Sequence, residues 1–265
     1  MFNKLRSLFS SPVVEEPLPP QASMPAGQRV YAIGDIHGRL DLFEQLLARI
    51  DADDAARGPA DTTLILLGDL VDRGPDSRGV IERAMQLMAT GKVRILAGNH
   101  EEMMLGSLRD EETMRHFLRH GGRETLFSYG LRGEEYSRGN LEEIIDRANA
   151  LVPPEHVAFM QAMEDQIVVG DYLFVHAGIR PGVPLDRQMP SDLRWIRREF
   201  LDHAEPHGHL VVHGHTITDE PVLRHNRIGI DTGAFASGKL TALGCEGDHR
   251  WLLTAFIAPQ EREAA

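Results

Sequence analysis

Four short segments of this chain place oxygen and imidazole ligands directly after apolar, strand-like runs, each time beside a glycine. In chain order they are Gly34-Asp35-Ile36-His37-Gly38, Gly68-Asp69-Leu70-Val71-Asp72-Arg73-Gly74, Gly98-Asn99-His100-Glu101 and His213-Gly214-His215-Thr216, and His176 follows another apolar run. Any one of these patterns is also typical of an ordinary turn or a capping residue. Their joint occurrence instead predicts side chains that converge at the carboxyl edge of a sheet, where open α/β folds bind ligands.

The remaining pattern alternates strands with helices. Helical periodicity over 40–50 and 77–89 follows the first two apolar runs, and Gly170-Asp171 is a strong two-residue hairpin signal. The predicted strands are 29–33, 63–67, 93–97, 166–169, 172–175, 210–212, 227–230, 240–243 and 251–256. Buried apolar strands separated by helices favour a sheet that is covered on at least one face.

The length of 265 residues suits one large domain. Residues 1–28 are rich in proline and are predicted to be a flexible leader, so that folded structure begins near Arg29. The folded domain is expected over 29–258, followed by a short tail at 259–265. Within it, residues from about 101 to 165 have helical patterns broken by glycine and proline pairs, which predicts an inserted helical cap.

Composition excludes several classes of partner. The formal net charge of −12 opposes general nucleic-acid binding, because that affinity comes mainly from lysine and arginine on phosphates. Cys245 is the only cysteine, so an internal disulfide and a thiolate zinc site are both excluded. No run approaches the roughly 20 apolar residues of a membrane span, and the first nine residues lack a signal-peptide pattern. These features predict a cytoplasmic protein.

Several sequence blocks resemble the calcineurin-like metallophosphoesterases, specifically the phosphoprotein phosphatase group with its bacterial and phage-type serine/threonine phosphatases. The blocks are GDIHGRL, GDLVDRGPDS, GNHEEMM, FVHAG and VHGHT, supported by HGGRETLFSYG, DLRWIRREF and IDTGAFASGKLTAL. The similarity runs from residue 30 to about 245. It implies a four-layer α/β/β/α sandwich of two mixed sheets, with the helical cap over the site.

The resemblance also implies a dinuclear metal centre. Asp35 and His37 would bind the first ion, whereas Asn99, His176 and His215 would bind the second. Asp69 would bridge both. Mixed carboxylate, amide and imidazole ligands suit manganese, iron or zinc, and we expect manganese to be the activating ion. Two cations about 3.5–4 Å apart would hold a bridging hydroxide that attacks phosphorus directly, without a phosphoenzyme.

Four further residues take roles by their positions in the family motifs. His100 would be the general acid toward the leaving oxygen, and Asp72 would orient it. Arg73 and Arg197 would clamp the phosphate, since a guanidinium fork matches phosphate oxygens. Arg194 and Arg198 lie close to Arg197 and are the alternatives for the second clamp.

The substrate is less well defined than the reaction. Relatives that split dinucleoside tetraphosphates symmetrically typically have Ala-Arg-Gly where this chain has Asp72-Arg73-Gly74, and Asp where it has Glu101. This pattern favours phosphoserine or phosphothreonine in proteins over a small phosphorylated substrate. The alternatives are a symmetrical bis(5'-nucleosyl)-tetraphosphatase, an RNA-cap-type anhydride hydrolase, or a silent module that only binds phosphorylated partners. Oligomeric state cannot be read from the sequence.

Other histidines are not predicted to be ligands. His203 and His207 lie in a polar loop, where solvated histidines are common, and His213 is expected to be a hydrogen-bonded support residue near the site. His120, in the predicted cap, is a candidate to face the substrate.

Overall fold

The computed structural model describes residues 22–257, which contain two β-sheets and flanking helices. The strands are β1 (Gln28–Ile33), β2 (Asp61–Leu66), β3 (Val93–Ile95), β4 (Gln166–Val169), β5 (Tyr172–Val175), β6 (Leu210–His213), β7 (Val222–Leu223), β8 (Arg227–Gly229), β9 (Lys239–Glu246) and β10 (His249–Phe256). The α-helices are α1 (Leu40–Arg57), α2 (Ser77–Met88), α3 (Asn99–Ser107), α4 (Glu111–Phe117), α5 (Arg123–Ser128), α6 (Gly133–Arg138), α7 (Leu141–Leu151), α8 (Pro154–Gln161), α9 (Pro190–Trp195), α10 (Arg198–Leu201) and α11 (Ala234–Ser237). A π-helical turn covers Leu118–Gly122 and a 3₁₀ turn covers Leu185–Arg187.

Both sheets are mixed and contain five strands. The first has the order β10-β9-β1-β2-β3, in which β1, β2 and β3 are parallel. The second has the order β4-β5-β6-β8-β7, in which β5, β6 and β8 are parallel. The predicted hairpin is confirmed, because β4 and β5 pair antiparallel around Gly170-Asp171.

Side-chain alternation along the strands builds four layers. In β1, Tyr31 and Ile33 pack into the cluster shared with helices α1 and α2, whereas Val30 and Ala32 face the second sheet. On the second sheet, Phe174 faces the first sheet, while the outward side of β5 packs against α9 and α10. This arrangement confirms the predicted α/β fold of two mixed sheets flanked by helices.

Residues 22–28, which were predicted to belong to the leader, pack against the domain. Met24 is buried, its N–H donates to the carbonyl of Gly247 over 2.7 Å, and the Ala22 carbonyl accepts from the Tyr172 hydroxyl at 3.2 Å. Residues 22–28 therefore close one end of the space between the sheets and are not part of a loose leader. The rest of the predicted leader, residues 1–21, and the tail at 259–265 lie outside the described residues.

Helices α3 to α8 occupy the segment predicted as a helical cap. The helices break where glycine and proline pairs predicted it: Gly121 has a φ of 107° inside the π-helical turn, and α8 begins at Pro154. Among the described residues, no helix is long and apolar enough to cross a membrane.

Candidate metal centre

The residues predicted as ligands lie on loops that follow parallel strands of both sheets. Asp35 and His37 follow β1, Asp69 follows β2, Asn99 and His100 follow β3, His176 follows β5 and His215 follows β6. We call these segments (34–38, 68–74, 98–101, 176–178 and 213–216) the strand-end loops. Because parallel strands of one sheet end at the same edge, the two sheets bring all five loops to one place.

The strand-end loops have an unusual backbone. Among the described residues, five non-glycine residues have a positive φ, and each was predicted from the sequence as a site residue. They are His37 (47°), Asp69 (51°), Asp72 (77°), Arg73 (70°) and His215 (62°). A non-glycine residue in this region costs of order 1–3 kcal/mol, and such residues cluster at active sites. The loops therefore hold these side chains in conformations that the surrounding structure must enforce.

Glu101 supplies much of that enforcement. Its carboxylate is fully buried and accepts backbone N–H groups from Asp69 (2.9 Å), Leu70 (2.7 Å) and Gly98 (2.8 Å). One side chain thus joins the loop after β2 to the start of α3. Glu101 differs from the residue typical of symmetrical tetraphosphatases, yet here it supports the loops and has no open approach to a substrate.

The carboxylate of Asp69 lies between two groups of histidines. Its Oδ1 is 3.4 Å from His176 Nε2, and its Oδ2 is 3.6 Å from His37 Nε2 and 3.8 Å from His100 Nε2. Within each of the two groups, His37–Asp69–His100 and Asp69–His176–His215, one ligand atom per residue lies within 4.8 Å of the others. Asp69 is the shared member of both groups.

Two other predicted ligands adjoin these groups. The Asn99 amide oxygen is 3.0 Å from His176 Nε2, and the Asp35 carboxylate accepts the His215 N–H at 3.0 and 3.1 Å. A Cβ on Gly214 would lie only 2.0 Å from Asp35 Oδ1, so glycine is required for this approach.

The imidazoles present neutral nitrogens to the centre. Nδ1 of His37 donates to the Val71 carbonyl and Nδ1 of His176 to the Leu67 carbonyl, both at 2.8 Å. Because a carbonyl can only accept, Nε2 of each ring carries the free lone pair. Burial lowers the pKa of His176 to about 4, and burial, His176 and Arg197 together lower that of His215 to about 2. His215 Nε2 is also buried without a partner.

Asp231 is a fourth acidic group that the sequence reasoning missed. It is 1% exposed, it follows β8, and its Oδ2 is buried without a hydrogen-bond partner. Burial, and then the charges of Asp231 and Asp69, raise the pKa of Asp35 well above its usual range. Asp231 lies in the IDTGAF segment, directly after the apolar run 227–230. The pattern that identified the other site residues, a polar residue after an apolar strand, therefore also fits Asp231.

His100 forms the predicted pair with Asp72. Nδ1 of His100 lies 2.6 Å from Asp72 Oδ2, and the Thr125 hydroxyl donates to Asp72 Oδ1 at 2.6 Å. Burial lowers the pKa of His100 to about 4 and raises that of Asp72 well above its usual range. Thr125 comes from α5 in the predicted cap, and its role was not recognised because the contact spans 53 residues of sequence.

Arg73 reaches the centre of the site. Its Nη1 is 2.9 Å from His37 Nε2 and its Nη2 is 3.0 Å from His100 Nε2. Arg194 is occupied elsewhere, because it pairs with Asp165 at 2.6 Å and with Glu102 at 3.0 Å. Arg197 is exposed at the start of α10, and its charge contributes to the lowered pKa of His215. Of these neighbours, Arg197 is better placed than Arg194 to meet an anion.

A fold of two mixed sheets, with carboxylates and neutral imidazoles collected at their shared edge, defines a metal-dependent hydrolase of phosphoesters. The family model for the calcineurin-like phosphoesterases matches residues 28–236. The chain therefore belongs to the calcineurin-like phosphoesterase family, as the sequence blocks indicated.

Known proteins with related sequences include two kinds of nucleotide hydrolase. An asymmetrical bis(5'-nucleosyl)-tetraphosphatase of Anoxybacillus flavithermus is 28% identical, over 80% of this chain and 88% of the relative. A symmetrical bis(5'-nucleosyl)-tetraphosphatase of Acidovorax ebreus is 32% identical, over 66% of this chain and 48% of the relative. A solved structure named as a candidate diadenosine tetraphosphatase has a TM-score of 0.60 and 21% identity, and the match covers 91% of this chain and 97% of that one. This last likeness shows the fold alone.

Proposed function

We propose that this protein uses two divalent cations to hydrolyse phosphate esters or anhydrides at the strand-end loops. The observation that carries the proposal is the position of Asp69, whose two carboxylate oxygens face separate histidine groups. The first cation would be held by Asp35 and His37, the second by Asn99, His176 and His215, and both by Asp69. When bound, the cations would supply an activated water and neutralise phosphate oxygens during in-line displacement.

The residues present fit such ions. The imidazoles are neutral and direct Nε2 inward, while crowded carboxylates with raised pKa values gain from a nearby positive charge. The one cysteine, Cys245, is buried between the sheets and offers no thiolate to the site. Oxygen and imidazole ligands suit manganese, iron or zinc, and manganese is the activating ion that we propose.

The other side chains would bind the phosphate and move a proton. Arg73, which faces His37 and His100, would turn its guanidinium fork to the phosphate oxygens, with Arg197 as a second clamp. His100 would donate a proton from Nε2 to the leaving oxygen, while Asp72 holds Nδ1 and stabilises the charged ring. The negative phosphate would favour that charged form of His100.

The first candidate substrate is a nucleotide anhydride of the dinucleoside polyphosphate type. It is supported by the names of the related sequences, one of which aligns over 80% of this chain and 88% of its own length.

The second candidate is phosphoserine or phosphothreonine in proteins, and the His100–Asp72 pair favours it. A serine alkoxide is a poor leaving group that needs a proton in the transition state, whereas a nucleoside phosphate leaves readily without one. A general acid contributes typically 10²–10⁴-fold to such a step. A buried acid with its own carboxylate support is therefore more useful to an ester hydrolase.

One manganese-supported assay separates these candidates. Diadenosine tetraphosphate and a phosphoserine peptide are compared at equal concentration, with phosphate and nucleotide products resolved by chromatography. A higher kcat/KM for the anhydride supports the first candidate, and a higher value for the peptide supports the second. Hydrolysis of neither substrate, with manganese, iron or zinc present, would refute the proposed function.

A further inference from the structure

A groove of about 570 Å³ lies beside the strand-end loops, between α4, the start of α3 and the end of α9. Its principal side chains are Glu102, Arg115, His116, Arg119 and Trp195, and we call it the Trp195 groove. None of these residues belongs to the predicted metal centre. The groove is nevertheless close enough to the strand-end loops to bind the part of a substrate that extends from its reacting phosphate.

The Trp195 groove adjoins the metal centre. The Trp195 ring centroid is 6.5 Å from that of His215 on one side. On the other side, the π-helical turn that follows α4 reaches the strand-end loop 68–74, where the Arg73 N–H donates to the Gly121 carbonyl at 3.0 Å. A substrate whose phosphate lies near Arg73 and His215 can therefore extend directly into the groove.

Two aromatic rings, those of Trp195 and His116, lie next to each other in the groove lining. The ring centroids of Trp195 and His116 are 6.5 Å apart with an interplanar angle of 43°. A planar ring stacked between two others needs about 7 Å, since carbon atoms in contact are about 3.5 Å apart. His116 is exposed, so its ring is free to turn parallel to that of Trp195 and to move away from it when a ligand ring enters. His120, whose ring is 4.1 Å from His116, extends the aromatic wall.

Trp195 is held in place for such a role. Its indole N–H donates to Glu102 Oε1 at 3.3 Å, and Arg194 fixes the same carboxylate through a 3.0 Å ion pair with Oε2. The indole is nonetheless 36% exposed. An exposed ring with a fixed orientation loses little entropy when a ligand stacks on it.

The charges of the groove suit an anionic ligand. Arg115 and Arg119 are exposed, and neither guanidinium takes part in a salt bridge within residues 22–257. Of the three acidic groups on the rim, Glu102 is engaged with Arg194 and Trp195, Asp110 caps α4 by accepting the Thr113 N–H, and Glu112 is exposed. Two cations thus remain available to phosphate or ribose oxygens.

From this arrangement we propose that the Trp195 groove binds the base of a nucleotide substrate, stacked between Trp195 and His116. The proposal rests on the proposed function and assigns a base site to its first candidate substrate. An aryl phosphate has its ring bonded directly to a phosphate oxygen, whereas a nucleotide has a ribose in between. The Trp195 ring centroid is 6.5 Å from that of His215, a proposed ligand, so a ring stacked on Trp195 needs a spacer such as ribose between it and a phosphate at the centre.

Fluorescence tests the base site without any turnover. AMP is titrated into the intact protein, and the emission of the two tryptophans is followed. Stacking on Trp195 predicts quenching by AMP and none by inorganic phosphate. In Trp195→Phe the remaining tryptophan is Trp251, which lies on β10 under the guanidinium of Arg57 and outside the groove. AMP should therefore no longer quench the emission of this variant. Equal quenching in both proteins, or none in the wild type, would overturn the base site.

Kinetics with and without a base provides the second measurement. Trp195→Ala is expected to raise KM for diadenosine tetraphosphate at least about tenfold relative to its effect on inorganic tripolyphosphate, and Trp195→Phe should restore most of the difference. His116→Ala should act in the same direction, and His249→Ala, which removes an exposed histidine from the far hairpin, serves as its matched control. Equal effects on both substrates would refute stacking. If AMP quenches through Trp195 but diadenosine tetraphosphate is not hydrolysed, only the proposed function fails.

Discussion

The strand-end loops and the Trp195 groove both rely on histidine, but the two regions hold it in opposite physical states. In the loops, His37 and His176 are buried, and a backbone carbonyl fixes the tautomer of each ring. In the groove, His116 is exposed and packs only loosely against Trp195. The difference separates two tasks. A metal centre needs ligands whose position and charge do not vary, whereas a surface that receives the rest of a substrate can adjust.

Backbone strain follows the same division. The left-handed residues described above all lie in the strand-end loops, and buried carboxylates such as Glu101 hold those loops in place. Residues of α4 and α9 in the groove have ordinary helical conformations. Substitutions in the loops should therefore affect catalysis and folding together, while substitutions in the groove should affect substrate choice.

The largest expected effect is the loss of catalysis in Asp69→Asn and His100→Asn. Asp69→Asn removes the charge shared by both histidine groups, and His100→Asn removes the proton donor, so kcat should fall by roughly 10²–10⁴-fold for His100 and at least as far for Asp69. Phosphate release is measured alongside circular dichroism, which gives the fraction of each variant that is folded, so that rates are compared per folded molecule. Normal turnover in either folded variant would contradict the roles assigned to these residues.

Glu101→Gln is expected to have the next largest effect, on stability. The carboxylate accepts three close backbone N–H groups, and a carboxamide offers one acceptor oxygen and directs an NH₂ at the remaining donors. Unfolding free energy should fall by roughly 1.5–3 kcal/mol or more, measured by urea denaturation. Glu142→Gln, on the exposed first turn of α7, is the matched control and should change stability by less than about 0.5 kcal/mol. A loss as small as that of the control would show that the loops do not depend on Glu101.

Chelation should destabilise the protein by a similar amount. Asp35, Asp69 and Asp231 are buried together, and a bound cation would remove their mutual repulsion. At manganese concentrations about 100 times Kd, binding adds about 2.7 kcal/mol, which corresponds to several degrees in Tm. The Tm gain is measured by adding manganese after EDTA treatment, and it should shrink in both Asp69→Asn and Asp231→Asn. If Asp231→Asn gains as much in Tm from manganese as the wild type does, the Asp231 carboxylate does not interact with the bound ion.

The sequence anticipated one region much better than the other, for physical reasons. The proposed ligands at strand ends follow from local patterns, because an apolar run, a glycine and a polar residue are adjacent in the chain. The roles of Thr125 and Glu101 depend on contacts across 53 and 32 residues, which no local pattern encodes. The Trp195 groove is formed by α4 and α9, which are about 80 residues apart in sequence. Because tertiary packing alone brings these helices together, no local pattern predicts the groove.

His207 is a half-buried histidine outside the strand-end loops, and it gives the smallest expected effect. It was expected to be solvated, but its ring packs between Phe200 and His203, and its Nε2 is buried without a partner. Burial, followed by the charge of His203, lowers its pKa to about 4. Between pH 4 and 6.5 the unfolded chain therefore binds the proton that the folded protein does not, so stability is lost as pH falls through this window.

Replacing His207 by Phe should remove that part of the pH dependence. The wild type should lose about 1–2 kcal/mol more than His207→Phe between pH 7 and pH 4, a figure reduced for the partly exposed ring. The measurement is the urea midpoint against pH, with and without manganese. Because His207 belongs to neither histidine group around Asp69, the difference between the two proteins should not change with metal. If the difference in pH dependence between the two proteins disappears when manganese is added, His207 is coupled to the metal centre. The contrast between fixed histidines in the strand-end loops and independent histidines elsewhere would then not hold.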